Sequence, residues 1–275
     1  MPADQLSLRD ALAALRDELR RLERVVVAFS GGADSAFLAW VAHDTLGPDR
    51  VLAVTAVSPS LASEELRECE QLAAEWGLRW QPVRTGELHD ERYVTNAGDR
   101  CYWCKTSLME MAGPVAARER ATVVLGVNLD DLGEHRPGQQ AAAERGAAFP
   151  LVAAGFTKDD VRAASRLLGL RTWDKPAAAC LASRVPYGTK VTLGVLTSVA
   201  ESESGLRGLG FRQVRVRHYG DLARVEVPVA DLARVTEHAD EVVAAVRAAG
   251  YTYVTLDLEG FRSGNLNAAL DRESP

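Results

Sequence analysis

The spacing of hydrophobic residues predicts the order of helices and strands in the first part of the chain. Leucines three and four positions apart, from Leu8 to Leu22, are typical of one face of a helix. Residues 25–29 then form an unbroken apolar run, as expected of a strand that is buried on both sides. Further apolar runs alternate with helical spacing, at 51–57, 78–83 and 122–127. This alternation predicts an α/β fold with a doubly wound parallel sheet.

The pattern changes after about residue 185. Helix, strand, strand, helix and strand are predicted in turn, at 192–209, 211–218, 222–227, 230–249 and 251–258. The two middle strands are joined by the short turn Tyr219-Gly220-Asp221, so they are expected to form a hairpin. We therefore predict a larger α/β domain over residues 1–185 and a smaller α+β domain over residues 186–275.

The most specific motif is Ser30-Gly31-Gly32-Ala33-Asp34-Ser35, directly after the first predicted strand. Adjacent glycines permit backbone conformations that a Cβ would forbid, and their N–H groups converge with those of the following helix. Such a point suits a pyrophosphate, and the serine hydroxyls add donors. Asp34 is placed to cap the turn or to hold Mg²⁺. No Gly-Lys-Ser/Thr follows, which excludes the loop of P-loop ATPases. The alternative is a glycine turn without a ligand.

A second polar segment, Gly126 to Asp131, follows the fourth predicted strand. In a parallel sheet it would lie at the same edge as the glycine loop, where ligands bind in such folds. Asn128 and Asp131 are therefore candidate contacts for substrate or Mg²⁺. The alternative is a simple polar turn.

The four cysteines are too few for a disulfide framework in a chain of 275 residues, which favours metal binding or catalysis. Cys101 and Cys104 form a CxxC before a predicted helix, a spacing that can hold one metal ion or cluster. A redox pair or two ordinary thiols are the alternatives. Cys180 lies in a segment without clear periodicity and is followed by Arg184, so it is a candidate working residue. Cys69, within a predicted helix, is predicted to be an inert thiol.

The predicted small domain carries a carboxylate on an apolar helix face and a group of arginines. Because Glu203 shares that face, it needs a partner, either a cation or a metal. Arg215 and Arg217 project from one face of a strand, and Arg224 and Glu226 lie on the facing strand. Their surplus positive charge suits a phosphate. A solvated sheet face is the alternative.

Overall composition limits the class of partner. The net charge of −6 argues against a large nucleic-acid footprint. The sequence has neither an N-terminal apolar segment nor a stretch long enough to span a bilayer, so we expect a cytoplasmic protein without a membrane partner.

The chain resembles the LarE family over about residues 8–267. The motifs that carry the resemblance are, in order, SGGADS, RCYWCK, LGVNLDDLGEHRPG, KPAAACLASR, RVRHYGDLARVEV and DLEGFRSG. The resemblance implies a PP-loop enzyme that splits ATP into AMP and pyrophosphate and transfers sulfur. Its substrate would be pyridinium-3,5-biscarboxylic acid mononucleotide, whose carboxylates become thiocarboxylates of the nickel-pincer nucleotide of lactate racemase. A homo-oligomer, trimer or hexamer, is also implied.

The resemblance further implies roles for single residues. It places the sulfur nucleophile at Cys180, with Ser183 and Arg184 beside it, and Mg²⁺-ATP at the glycine loop. Arg215 and Arg217 match arginines that bind substrate phosphate, and Glu203 matches a carboxylate in a metal site.

Members of the family deliver sulfur in two ways. Some surrender the sulfur of the cysteine that matches Cys180 and end as dehydroalanine. Others hold a [4Fe-4S] cluster on three cysteines. This chain has Cys101 and Cys104 besides Cys180, so the cluster type is predicted.

Three other functions compete with this interpretation. A PP-loop tRNA thiolase would carry a basic surface and an RNA-binding appendage. An amidating PP-loop ligase would form AMP in the presence of ammonia and would leave the cysteines without a role. A non-catalytic nucleotide-binding or metal-sensing module would bind ATP without releasing pyrophosphate.

Overall fold

The computed structural model describes residues 3–133, 137–176 and 179–262. Contacts within the chain divide it into two units. The first comprises Met1–Glu87 and Cys101–Ala178, and the second comprises Leu88–Arg100 and Ala179–Pro275. The short segment Leu88–Arg100 therefore belongs with residues that follow it by about 80 positions or more. As functional domains, the predicted ranges 1–185 and 186–275 stay a proposal.

The first unit contains a parallel four-stranded sheet, in agreement with the predicted α/β class. Its strands are β1 (Val25–Ala28), β2 (Val51–Val57), β3 (Trp80–Arg84) and β4 (Thr122–Leu125). They are ordered β3-β2-β1-β4, so β1 lies between β2 and β4. All four carboxyl ends therefore meet at one edge of the sheet.

Helices cover this sheet on both faces because its central strands are apolar on both faces. The helices are α1 (Ala3–Leu22), α2 (Ala33–Leu46), α3 (Ser63–Trp76), α5 (Arg100–Glu119), α6 (Pro137–Glu144), α7 (Pro150–Ala153) and α8 (Lys158–Leu167). Val25 and Val27 of β1 belong to the core that contains the α2 residues, whereas Val26 belongs to the core that contains the α5 residues. This alternation is what a strand buried on both sides requires.

The second unit is the predicted α+β arrangement, with one correction. It contains α4 (Glu91–Val94), α9 (Leu193–Gly208), β5 (Arg215–Tyr219), β6 (Leu222–Glu226), α10 (Leu232–Glu237), α11 (Ala239–Ala248) and β7 (Tyr253–Leu256). β5 and β6 form the antiparallel hairpin, and β7 joins β6 in parallel. The helix predicted over 230–249 is wrong as one element, because the chain leaves the helical conformation at His238 and α11 starts anew.

No helix among the described residues is both long and apolar enough to cross a bilayer. Parts of three motifs, residues 134–136, 177–178 and 263–264, lie outside the described residues, as does the rest of the chain to residue 275.

Candidate functional site

The glycine loop joins the carboxyl end of β1 to the first turn of α2. The Ser30 N–H donates to the Ser35 hydroxyl at 3.2 Å, and the two serine hydroxyls lie 3.0 Å apart. Gly31 has a φ of 68°, and a Cβ there would lie 3.0 Å from the Cys69 sulfur. The N–H groups of the first turn of a helix have no acceptor within the helix, so they are donors that a phosphate can use. The local geometry is therefore that of an anion loop.

Asp34, in the first turn of α2, is held by residues from two other elements. Asn128, after β4, donates its amide to Asp34 Oδ1 at 3.2 Å. Lys158, the first residue of α8, donates its ammonium to Asp34 Oδ2. The Asp131 carboxylate accepts the Asn128 N–H at 3.1 Å and so fixes that loop. The structure thus brings the two predicted polar segments together at the carboxyl edge of β1 and β4.

Gly126 is required by the close approach of these two segments. A Cβ at this position would lie 2.8 Å from both the Asp34 carbonyl carbon and the Ser35 nitrogen. Since both are backbone atoms, no side-chain movement relieves the clash. Gly126 therefore lets β4 pass directly beside the start of α2.

Two carboxylates, those of Asp34 and Asp131, lie at this edge, and both are in contact with Asn128. Asp34 and Asp131 supply the oxygen ligands that Mg²⁺ prefers. Mg²⁺ commonly uses one or two protein carboxylates and completes its shell with phosphates and water.

The CxxC opens helix α5 in the first unit. Cys101 is exposed and Cys104 is half-buried, and neither forms a disulfide. The turn is fixed by Tyr102, whose hydroxyl donates to Glu144 of α6 at 2.5 Å. Gly138 of α6 approaches the Cys101 carbonyl so closely that a Cβ there would lie 3.0 Å from its oxygen.

A three-cysteine cluster is not supported by the described geometry. Cys101 and Cys104 belong to the first unit and Cys180 to the second. Among the described residues, no three His, Cys, Asp or Glu side chains are grouped so as to hold a metal ion. The CxxC supplies at most two of the ligands that a cluster needs.

Cys180 is exposed and precedes a short 3-10 turn, Leu181–Arg184. The Ser183 N–H donates to the Cys180 carbonyl at 2.9 Å. Arg184 is almost fully buried and donates from Nη1 to the Ala179 carbonyl at 2.7 Å and to the Cys180 carbonyl at 3.0 Å. The same nitrogen lies 3.0 Å from the Ser183 hydroxyl. Arg184 thus holds the backbone on either side of the Cys180 side chain.

Glu203 on α9 holds Arg184 in turn. Its carboxylate accepts from Arg184 Nε at 2.8 Å and Nη2 at 3.1 Å. It also accepts from Arg207 at 2.8 Å and from the Val216 N–H at 3.1 Å, and the side chain is fully buried. The sequence alone did not decide whether the partner of Glu203 is a cationic side chain or a metal. These contacts favour the cation, because guanidinium and backbone donors occupy both carboxylate oxygens.

The arginines of β5 and β6 surround a second buried carboxylate. Glu226 accepts from Arg217 at 2.9 Å and from Arg224 at 3.0 Å, so the sequence correctly placed these side chains on one face. Arg215 donates to the Val214 carbonyl and stacks on the Phe261 ring at 5.3 Å. Burial, together with repulsion from neighbouring cations such as Arg184, lowers the pKa of Arg215 to about 10.

Cys69 lies beneath the glycine loop and is fully buried. Burial raises the pKa of its thiol to about 11. Since the thiolate is the reactive form, this supports the prediction that Cys69 is inert.

Comparison with known proteins identifies the family. The NAD synthase family model matches residues 8–125, which contain the glycine loop and the strands β1 to β4. Over 78 residues, 28% of this chain and 14% of the relative, the chain is 33% identical to glutamine-dependent NAD(+) synthetase of Aquifex aeolicus. It is 45% identical over 269 residues, 96% of this chain and 100% of the relative, to an uncharacterised protein of Synechocystis. It is 40% identical to pyridinium-3,5-bisthiocarboxylic acid mononucleotide synthase of Lactiplantibacillus plantarum over 262 residues, 95% of this chain and 94% of that synthase. The chain belongs to the LarE family.

Two lysines at the glycine loop of this LarE-family chain were not predicted from the sequence. One is Lys158, which contacts Asp34. A lysine in the first turn of a helix opposes the helix dipole, and that unfavourable position was a usable signal. The other is Lys175, whose ammonium donates to the Gly31 carbonyl at 3.1 Å and to Glu65 at 2.8 Å. Nothing in the local sequence pattern indicates that second contact.

The contacts of Glu203 give a prediction for the stability of the LarE-family fold. We expect Glu203→Gln to lower the free energy of unfolding by about 3–5 kcal/mol, because it leaves buried guanidinium groups without their counter-charge. Urea denaturation measures this. Glu201→Gln is the matched control: Glu201 is exposed on the same helix, and its loss should change stability by less than about 0.5 kcal/mol. Equal stability of the two variants would contradict the prediction.

Proposed function

We propose that the chain is an ATP-dependent sulfur transferase acting on pyridinium-3,5-biscarboxylic acid mononucleotide. The observation that carries the proposal is the 40% identity to the synthase over 95% of this chain. The proposed product, the bis-thiocarboxylate, is the precursor of the nickel-pincer nucleotide of lactate racemase and related enzymes. The glycine loop supports the first half of the reaction, the activation of a carboxylate by ATP. The exposed cysteine on a fixed loop supports the second half, the transfer of sulfur.

In the first half, ATP would bind with its phosphates at the glycine loop. Candidate contacts are Ser30, Gly31, Gly32, Asp34 and Ser35, with Gly126, Asn128 and Asp131 beside them. Mg²⁺, held by Asp34 and Asp131, would neutralise phosphate charge. A substrate carboxylate oxygen would attack the α-phosphorus, and the bond to the β-phosphate would break. The products are an acyl adenylate and pyrophosphate.

Lys158 is suited to assist this step. In the structure its ammonium is paired with Asp34. With Asp34 engaged in holding Mg²⁺, the Lys158 ammonium would be available to face the developing charge on the leaving pyrophosphate. Cations aimed at transferring phosphoryl groups are a recurrent source of transition-state stabilisation.

In the second half, the sulfur at Cys180 would attack the acyl carbon and AMP would leave. The Cβ–S bond of Cys180 would then break as the Cα–H proton is lost, giving the thiocarboxylate and dehydroalanine. Ser183 and Arg184 would hold the loop during this step. By this route each chain delivers one sulfur atom.

The substrate phosphate would bind at the arginine face of the second unit. Arg215 and Arg217 are the candidate ligands. The lowered pKa of Arg215 reflects burial beside other cations. A bound phosphate dianion would offset that repulsion, and arginine is the side chain best matched to its geometry.

Three further parts of the proposal come from the sequence and the family resemblance, and the described contacts do not bear on them. They are the homo-oligomer of three or six subunits, the cytoplasmic location, and the [4Fe-4S] cluster on Cys101, Cys104 and Cys180. A cluster would permit repeated turnover if sulfide is resupplied. The described contacts supply no support for it, so the single-use cysteine is the route we derive.

The test uses protein purified without oxygen, with Mg²⁺-ATP and the dicarboxylate mononucleotide. We expect pyrophosphate release that depends on this substrate, and a product in which sulfur replaces carboxylate oxygen, seen by mass spectrometry. Pyrophosphate release driven by ammonia instead would favour the amidating ligase. ATP binding without release of pyrophosphate would favour a non-catalytic nucleotide-binding module.

Iron and acid-labile sulfide are measured on the same preparation. About four irons per chain would support the cluster. Iron-free protein that thiolates up to one carboxylate per chain would support the single-use cysteine.

A further inference from the structure

The loop that carries Cys180 is fixed from a distant part of the chain. The Cys180 loop, here residues 179–189, has no regular helix or strand apart from one 3-10 turn. Such a segment has few backbone partners of its own, so its carbonyl groups need other donors. Arg184 and Arg217 supply donors to three of them, the carbonyls of Ala179, Cys180 and Ser183.

Asn96, from the segment Leu88–Arg100, contacts three more carbonyls with the two N–H groups of its side-chain amide. Its amide nitrogen lies 3.3 Å from the Val185 carbonyl, 2.8 Å from that of Pro186 and 2.9 Å from that of Thr189. The backbone carbonyl of Asn96 accepts the Gly188 N–H at 3.0 Å. Asn96 is fully buried and has a φ of 58°. Asparagine tolerates this left-handed conformation better than most residues, which fits its position here.

Arg100 completes the arrangement. Its Nη1 donates to the Asn96 side-chain oxygen at 2.5 Å and to the Ala182 carbonyl at 2.9 Å. Arg100 is 5% exposed, and its guanidinium lies over the Tyr187 ring at 5.7 Å. Arg100 therefore joins Asn96 to Ala182, two residues after Cys180.

We propose that Asn96 and Arg100 are positioning residues for the sulfur donor. Together they hold the backbone of the Cys180 loop, so they act on sulfur transfer and not on adenylation. The proposal rests on the proposed function for the reaction involved. Attack on an acyl carbon requires the sulfur within a narrow range of positions, and a displacement of about 1 Å lowers the rate by roughly 100-fold.

The geometry allows a graded set of variants. One nitrogen of Arg100 donates to both the Asn96 side-chain oxygen and the Ala182 carbonyl. In Arg100→Lys the lysine ammonium can therefore replace that nitrogen in part. Arg100→Met keeps length and packing but has no donor. Asn96→Gly accepts the positive φ without strain and removes only the side-chain amide. Arg92→Ala is the control, because Arg92 is exposed on the same segment and pairs with Asp90.

The experiment measures three quantities on the full chain. They are substrate-dependent pyrophosphate release, formation of thiocarboxylate, and hydrogen exchange of peptides covering the Cys180 loop. We expect Arg100→Met and Asn96→Gly to slow thiocarboxylate formation by about 10- to 100-fold with pyrophosphate release within about twofold of wild type. Arg100→Lys should recover part of the loss, and Arg92→Ala should match wild type.

The outcomes separate this proposal from the proposed function. Equal losses of pyrophosphate release and thiocarboxylate formation would overturn positioning, as would no loss of either. If wild type releases no pyrophosphate with the substrate, the proposed function fails, and hydrogen exchange decides on positioning. Positioning is supported if hydrogen exchange in the Cys180 loop is faster in Arg100→Met than in wild type and slows again in Arg100→Lys. Unchanged exchange in Arg100→Met overturns it.

Discussion

Cys180→Ala is expected to abolish sulfur transfer while leaving pyrophosphate release within about twofold of wild type. The physical reason is that adenylation needs only ATP, a carboxylate and the glycine loop, whereas the acyl adenylate needs a sulfur nucleophile to proceed. Cys180 is exposed, and its backbone is fixed by Arg184, so alanine removes the sulfur without disturbing a core. Thiocarboxylate formation should fall by at least about 100-fold. Mass spectrometry of the product and a pyrophosphate assay measure the two steps separately.

Cys101→Ala is the matched control because it removes another exposed thiol. If Cys180 gives up its own sulfur, the control still delivers one sulfur atom per chain and its Cys180 peptide gains dehydroalanine. If a cluster delivers sulfide, the control loses transfer together with its iron. Retained thiolation in Cys180→Ala would refute Cys180 as the donor by either route.

Sequence patterns predicted the α/β unit well because its signals are local. An unbroken apolar run, two glycines and an apolar helix follow one another within about 20 residues, and this order favours a strand, a turn and a helix. The meeting of Asp34 with Asn128 also followed from a general rule, since parallel strands end at the same sheet edge.

The support of the Cys180 loop could not be predicted in the same way. Asn96 and Val185 are 89 positions apart, and their contact joins a side-chain amide to backbone carbonyls. Hydrophobic spacing carries no information about such a contact. The partner of Glu203 was ambiguous for a related reason: an apolar helix face shows that a buried carboxylate needs a counter-charge but not which one supplies it.

Asp34→Asn should lower substrate-dependent pyrophosphate release by at least about 100-fold. The change preserves the size of the side chain and its acceptor for Asn128 but removes the charge that faces Lys158 and would hold Mg²⁺. The apparent KM for Mg²⁺-ATP should rise as well, since the loop loses a metal ligand. Asp34 is partly exposed, so the loss of its ion pair should change the free energy of unfolding by less than about 1 kcal/mol.

Asp159→Asn is the control for the loss of a negative charge close to Lys158. Asp159 is exposed in the first turn of α8, next to Lys158. Its variant should keep both the rate of pyrophosphate release and the KM for Mg²⁺-ATP, because the charge that matters is the one in contact with the lysine and the loop. If Asp34→Asn instead released pyrophosphate at the rate of Asp159→Asn, the glycine loop would not be the site of ATP cleavage. Asparagine has nearly the same volume as aspartate. A slower release of pyrophosphate in Asp34→Asn therefore cannot be attributed to a change in side-chain shape.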